Sequence, residues 1–253
     1  MNELPSVDVV ILTWNDGPLL QIAVDSALAS TGVAVNVIVV DNGSEPPAAP
    51  EPSDRVVVVR NTSNRGVAAA RNQGVKLGSA PIVCLLDSDA RLESDCLRAL
   101  VDAVEADPRT ALAGPVFSGQ APEASGGLAP TFSRKFARLR GATADYQTVA
   151  HAPDENVWHV DFVIGACQCF RRAAYDEIGG IDELFFYGPE DADFCMRLRL
   201  RGWRVVQVRD ARCEHPPRRT SRRLFTRRGI RHAYAVTRFL VRHRRFRHDA
   251  GSP

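Results

Sequence analysis

Three times within the first ninety residues an apolar, β-branched run stops abruptly at polar residues, and this repetition constrains the fold more than any other feature of the chain. Val7–Leu12 ends at Thr13-Trp14-Asn15-Asp16, Val35–Val40 at Asp41-Asn42-Gly43-Ser44, and Pro81–Leu86 at Asp87-Ser88-Asp89. Runs of that length and make-up are expected as buried parallel strands. Helical patterns separate them: residues 18 to 30, with Leu19, Leu20, Ala23, Val24, Ala27 and Leu28 on one face, and a small-residue helix after Asn64-Arg65-Gly66. With a short strand at Val56–Val59, the order β-α-β-β-α-β predicts an α/β fold, a mostly parallel central sheet flanked by helices. Such sheets bind ligands outside the carboxyl ends of their strands, where all three polar stops fall.

The chemistry of those stops is specific. Asp87 and Asp89, at i and i+2 of an extended segment, can point the same way, which suits a hard cation bound to phosphate oxygens. The triplet is also made of preferred helix-capping residues, and read alone it serves equally to cap the helix expected from Ser94 to Ala106. The turn Asn61–Gly66 opens a helix whose first amides can face an anion, with Arg71 further in to pair with phosphate. An alanine-rich helix packed tightly on a sheet explains the same residues without Arg71.

Beyond a fifth strand expected at Ala111–Phe117, residues 118 to 156 lose periodicity and read as a loop-rich insertion suited to acceptor-binding elements or a lid. Order returns over Trp158–Phe170, a strand-like segment broken at Gly165-Ala166. Glu190 and Asp191 then follow an aromatic Gly-Pro loop and lead into a helix expected over Asp193–Arg201. Acids in a first turn are favoured by the helix dipole, and adjacent acids in such a place are also candidates for a general base. A strand at Trp203–Val208 and the segment Ala211–Pro217 close the body, with His215 either structural or a metal ligand.

Charge divides the chain. Residues 218 to 253 hold 12 arginines and one acid, leaving 20 bases against 29 acids in residues 1 to 217. The basic segment has a helix pattern from Arg222 to Arg245 with an apolar face, and three partners suit it. It can lie peripherally on an anionic membrane, or dock on the acidic body or form a homodimer, with nucleic acid the least favoured. Six cysteines without CxxC spacing and without a leader before them are expected as reduced core thiols of a cytoplasmic protein. No apolar run reaches the roughly 18 residues of a membrane span.

Asp41-Asn42-Gly43-Ser44, Asn64-Arg65-Gly66 through Arg71-Asn72-Gln73-Gly74, Asp87-Ser88-Asp89, and Gly188-Pro189-Glu190-Asp191 with Asp193 together resemble the family-2 glycosyltransferases of the GT-A fold, in order and spacing over residues 6 to 217. The Thr13-Trp14-Asn15 start, the Gly179–Phe186 run and Glu214-His215 are similar to the rhamnosyltransferase-like subgroup. The resemblance implies a nucleotide-sugar-binding half (1–117), an acceptor-binding and catalytic half (118–217) and a basic helical tail (218–253). It implies a dTDP- or UDP-sugar donor, Mg2+ or Mn2+, inversion at the anomeric carbon, and an acceptor hydroxyl on a glycan, a polyprenyl-linked saccharide or a small natural product. By position, Thr13, Asn15, Asp41 and Asn64 would line the nucleotide pocket, Arg71 would lie near the diphosphate, and Asp87 would face the ribose or donor sugar. Asp89 and His215 would hold the metal, and Asp191 would be the base with Glu190 as its helper. A non-catalytic nucleotide-sugar-binding module and a nucleotidyltransferase are the alternatives on such a fold. The latter is expected to carry a Gly-rich basic loop after the first strand, where this chain has Thr13-Trp14-Asn15-Asp16-Gly17.

Overall fold

A computed structural model describes residues 3–120, 124–129, 149, 151–152, 154–216, 227–244 and 246, the side chains of 227–232 excepted. The first half follows the predicted order: β1 (Ser6–Thr13), α1 (Pro18–Leu28), β2 (Ala34–Asp41), β3 (Val56–Arg60), α2 (Val67–Leu77) and β4 (Ile82–Asp87). The four strands pair in parallel in the order β3-β2-β1-β4. Next come β5 (Arg91–Leu92), α3 (Cys96–Ala106), β6 (Thr110–Phe117) and β7 (Gly126–Gly127). The strand-like segment resolves into β8 (Val157–His159), β9 (Phe162–Val163) and β10 (Cys167–Arg171), and α4 (Arg172–Glu177), α5 (Glu190–Leu200), β11 (Arg204–Glu214) and α6 (Arg227–Arg242) complete the chain.

β10 inserts antiparallel between β4 and β6, extending the sheet to β3-β2-β1-β4-β10-β6-β11-β5, with β8 also on β11 and β7 pairing β9 apart. Because side chains alternate along a strand, the sheet buries residues on both faces. Val7, Val9 and Ile11 meet Leu20 and Val24 of α1 and Leu97, Leu100 and Val104 of α3. Val10 turns the other way, to Ala68 and Ala70 of α2, Phe194 and Leu198 of α5, and Phe239 of α6. A Cβ on Gly74 would collide with Val10 and Val40, so the small-residue character of α2 is a packing requirement.

Several boundaries differ from expectation. α5 begins at Glu190, not Asp193, so both acids lie inside its first turn. β11 runs six residues past the expected Val208 to Glu214, because it pairs with β6 and then with β5. Most of the 118–156 insertion lies outside the described residues, as do residues 218–226, 245 and 247–253 of the basic segment. The described part of that segment docks on the body through buried Ala235, Phe239 and His243. All six cysteines are free and buried, as expected of core thiols.

Candidate active site

The parallel register sets the site. Thr13 pairs with Asp41 and Leu12 with Asp87, so the three polar stops stand along one sheet edge. Asp41 is 0% exposed, its Oδ1 accepting from the Ser44 amide at 2.8 Å and its Oδ2 from the Ala48 amide at 3.0 Å. Burial pushes its pKa up, but these hydrogen bonds and the nearby Arg60 outweigh it and hold the carboxyl below the usual range. Asp41 thereby pins the loop after β2. With Thr13, Asn15 and Leu20, that loop encloses a cavity of about 360 Å³, and Asn15 stitches the wall by accepting from the Glu45 amide at 2.8 Å.

Neither Asp41 nor Asn64 belongs to the cavity wall. The Asn64 Oδ1 accepts from Asn42 Nδ2 at 3.1 Å and from the Gly66 amide at 2.9 Å, shaping the turn before α2. The opening of α2 also departs from the anion cradle expected of it. Its first amide, that of Val67, donates to Phe186 O at 2.8 Å, so the segment leading to α5 covers it.

At the end of β4, one ligand atom each from Asp87, Asp89 and His215 lie within 4.8 Å of one another, with Asp89 Oδ1 3.6 Å from His215 Nε2. The short strand β5 is responsible: Leu92 pairs with Cys213 and Arg91 with Glu214, which folds His215 back over the aspartates. The Phe117 ring, 5.1 Å from the imidazole, and Gln120 Nε2, donating to His215 O at 2.8 Å, hold it there. The triplet caps no helix, since α3 begins only at Cys96 after Asp95, and the capping alternative falls. Ser88 Oγ instead donates to Asp16 on the loop after β1. Two carboxylates and an imidazole form a hard-to-borderline donor set that fits Mn2+ or Mg2+.

Arg71 is placed differently from the phosphate contact expected of it. Only 4% exposed, it turns inward: NH2 donates to Asp87 Oδ1 and to Gly165 O, both at 2.7 Å, and NH1 to Glu190 Oε1 at 3.4 Å. Burial disfavours its charge, yet Asp87 and Glu190 more than compensate and keep it protonated. The peptide it touches is a junction that sequence reasoning missed. The Gly165 amide donates to Asp191 Oδ2 at 3.1 Å, and Ala166 O accepts from the Asp87 amide at 2.9 Å. The sequence signal for it was the Gly-Ala break in an otherwise strand-like run.

Glu190 and Asp191 are unlike neighbours. Burial first, and then the negative charge of Asp191, push the Glu190 pKa up to about 7 against the pull of Arg71. Its Oε2 is buried with no hydrogen-bond partner among the described residues, which favours the neutral form, since a carboxylate oxygen without donors is costly. Asp191 is partly exposed, with Oδ1 on the Ala192 amide at 2.8 Å and Oδ2 on Gly165. The edge thus joins the Asp87, Asp89 and His215 cluster to a partly exposed carboxylate through one buried arginine and one peptide.

A family model described as glycosyl transferase family 2 matches residues 8–179. The N-acetylglucosaminyl-diphospho-decaprenol L-rhamnosyltransferase of Mycobacterium tuberculosis is 28% identical over 235 residues, covering 82% of this chain and 75% of that protein. The glucosyl-dolichyl phosphate glucuronosyltransferase of Haloferax volcanii is 27% identical over 213 residues, covering 76% of this chain and 62% of its own. Among solved structures, the mannosyltransferase of Pyrobaculum calidifontis in complex with GDP-Man and Mn2+ superposes with a TM-score of 0.65 at 20% identity, covering 99% of this chain and 66% of its own. GalNAc-T7 with UDP, GalNAc and Mn2+ superposes equally well, at 0.65 and 18% identity, covering 85% of this chain and 44% of its own. The fold is accordingly the GT-A one, and this chain spans somewhat under two thirds of the archaeal mannosyltransferase.

Proposed function

The chain belongs to glycosyl transferase family 2, and we propose that it moves a sugar from a nucleoside-diphosphate donor to an acceptor hydroxyl, with inversion and with a divalent cation. The observation that carries this reading is the convergence, on one sheet edge, of the Asp87, Asp89 and His215 cluster with Asp191, joined through Arg71 and Gly165. Asp89 and His215, with Asp87 beside them, would hold Mg2+ or Mn2+. Bound there, the ion supplies Lewis-acid stabilisation of the charge that develops on the departing diphosphate.

Asp191 is the general base. As the acceptor oxygen forms its bond to the anomeric carbon, the bond from that carbon to the diphosphate breaks and the hydroxyl proton passes to Asp191. One displacement inverts the centre. Glu190 assists by holding its own proton near neutrality, which removes a like charge from beside the base. Arg71, fixed between Asp87 and Glu190, keeps donor side and base side in register. The Thr13 and Asn15 cavity takes the nucleoside of a dTDP- or UDP-sugar, with Asp41 and Asn64 maintaining its loops. The mycobacterial and haloarchaeal relatives are named for lipid-linked substrates, which favours a polyprenyl-linked acceptor over a free glycan or small natural product. Contact with such an acceptor would be peripheral, at the inner face; separately, no helix among the described residues is long and apolar enough to cross a membrane.

Incubating the purified chain with UDP-, dTDP- and GDP-sugars, Mn2+ and a polyprenyl-diphosphate N-acetylglucosamine acceptor tests the reading. The expected result is a glycosylated lipid of inverted anomeric configuration from one donor class. Neither transfer nor donor hydrolysis from any donor would overturn it.

A further inference from the structure

We propose that Arg242 and His243, at the end of the basic helix α6, are positioning residues for Asp191. The inference rests on the reading of Asp191 as the base. α5 presents Asp191 to the open edge, and Asp193, two positions and roughly 200° further round the helix, turns into the body. Asp193 is 0% exposed and its two oxygens have different sources of support. Oδ2 accepts from Arg197 Nε of the same helix at 2.8 Å. Oδ1 accepts from Arg242 NH1 at 2.9 Å and lies 2.8 Å from His243 Nε2, so its side-chain partners both come from the end of α6.

Burial would raise the Asp193 pKa, but the His243 hydrogen bond and the charges of Arg197 and Arg242 hold it low, so α6 grips a carboxylate. The same arginine reaches the segment entering α5. Arg242 NH2 donates to Asp182 Oδ2 at 2.5 Å, and the guanidinium lies 5.7 Å from the centre of the Phe185 ring. Phe239, 1% exposed and 5.0 Å from the His243 ring, anchors the helix in the core layer that α5 shares. A buried carboxylate that loses partners is strongly destabilising, and the strain would fall on the first turn of α5. That turn carries the base, and displacing a reacting group by 1 Å costs on the order of 100-fold in rate. The matched family region ends at residue 179, so this clamp is contributed by chain beyond it.

The full-length Arg242→Ala/His243→Ala variant tests the clamp by two readouts, steady-state transfer and hydrogen exchange. Relative to wild type, kcat falls at least about tenfold while donor KM stays within about twofold, as expected of a displaced base rather than a lost donor site. Amides of residues 190–194 lose protection while those of α1 and α3 keep it. His243→Gln alone, which retains an N–H donor, stays within about threefold of wild-type kcat, and Tyr234→Ser, on the 65% exposed side of α6, changes nothing. Unchanged protection of residues 190–194 overturns the clamp. Lost protection with unchanged kcat overturns its link to the base, and a uniform loss of stability, donor affinity and kcat that His243→Gln shares reduces α6 to scaffold and overturns it as well. A wild-type chain without transferase activity defeats the functional reading instead, and the clamp is then decided by exchange alone.

Discussion

Glu190 and Asp191 are adjacent in sequence, yet one is buried against an arginine and the other rests on a glycine amide at an open edge. Asp191→Asn preserves shape and removes only the proton acceptor, so transfer should fall by about 10²–10⁴ while nucleoside-diphosphate affinity holds, as single-turnover kinetics beside calorimetry would reveal. Glu190 gives a pH signature. With a folded pKa near 7 against an ordinary 4.5, the folded chain keeps a proton that the unfolded chain has lost. Stability therefore declines as pH rises from 4.5 to 7 and this contribution is flat above, because the unfolded state binds fewer protons in that window. Glu190→Gln should flatten that slope in denaturant titrations and remove an ionisation near pH 7 from the rate profile. A slope that persists in the variant would contradict the assignment.

The elements divide into those whose sequences announce them and those made by their neighbours. β1, β2, β4, α1 and α3 carry their own periodicity, and the edge they form was legible from the residues at which their runs stop. β5 was not, because two residues have no period; Arg91-Leu92 is a strand only because β11 extends far enough to pair with it. That pairing is also what sets His215 over Asp89, so the meeting of His215 with Asp87 and Asp89 could be expected from the family resemblance but not from the spacing. Arg71 teaches the same lesson. A cation in α2 was visible, but which anion it meets depends on β10 inserting beside β4 and delivering Gly165 O to its guanidinium. A Cβ on Gly165 would lie 2.6 Å from Arg71 NH1. Gly165→Ala should therefore cost transfer on the order of 100-fold through misplacement of Asp191, with a smaller effect on nucleotide binding. Equal losses in both would make the junction a general structural one.

At the scale of the molecule, the body and the described end of α6 are parts of one packed unit, since α6 supports Asp182 and Asp193 and buries Phe239 in the sheet's second layer. The charge asymmetry was plain in the sequence; that the end of α6 packs on the body was not, because its apolar face fits a membrane as well as a protein. Along the edge, the cavity beside Thr13 lies at the end of β1 and β2, the Asp87, Asp89 and His215 cluster at the end of β4, and Asp191 against the Gly165 amide ahead of β10. Chelation should therefore abolish transfer, and Mn2+ or Mg2+ should restore it without refolding. On the proposed reading, that cluster recognises a diphosphate through a metal. Titration calorimetry of UDP, dTDP and GDP into the full chain, with Mn2+ or with EDTA, measures this directly and needs no knowledge of the acceptor. For one of the three, Mn2+ should tighten binding at least about tenfold, roughly 1.4 kcal/mol, and Asp89→Ala should abolish that gain. Equal affinity in Mn2+ and EDTA, or a gain that survives Asp89→Ala, would contradict the account.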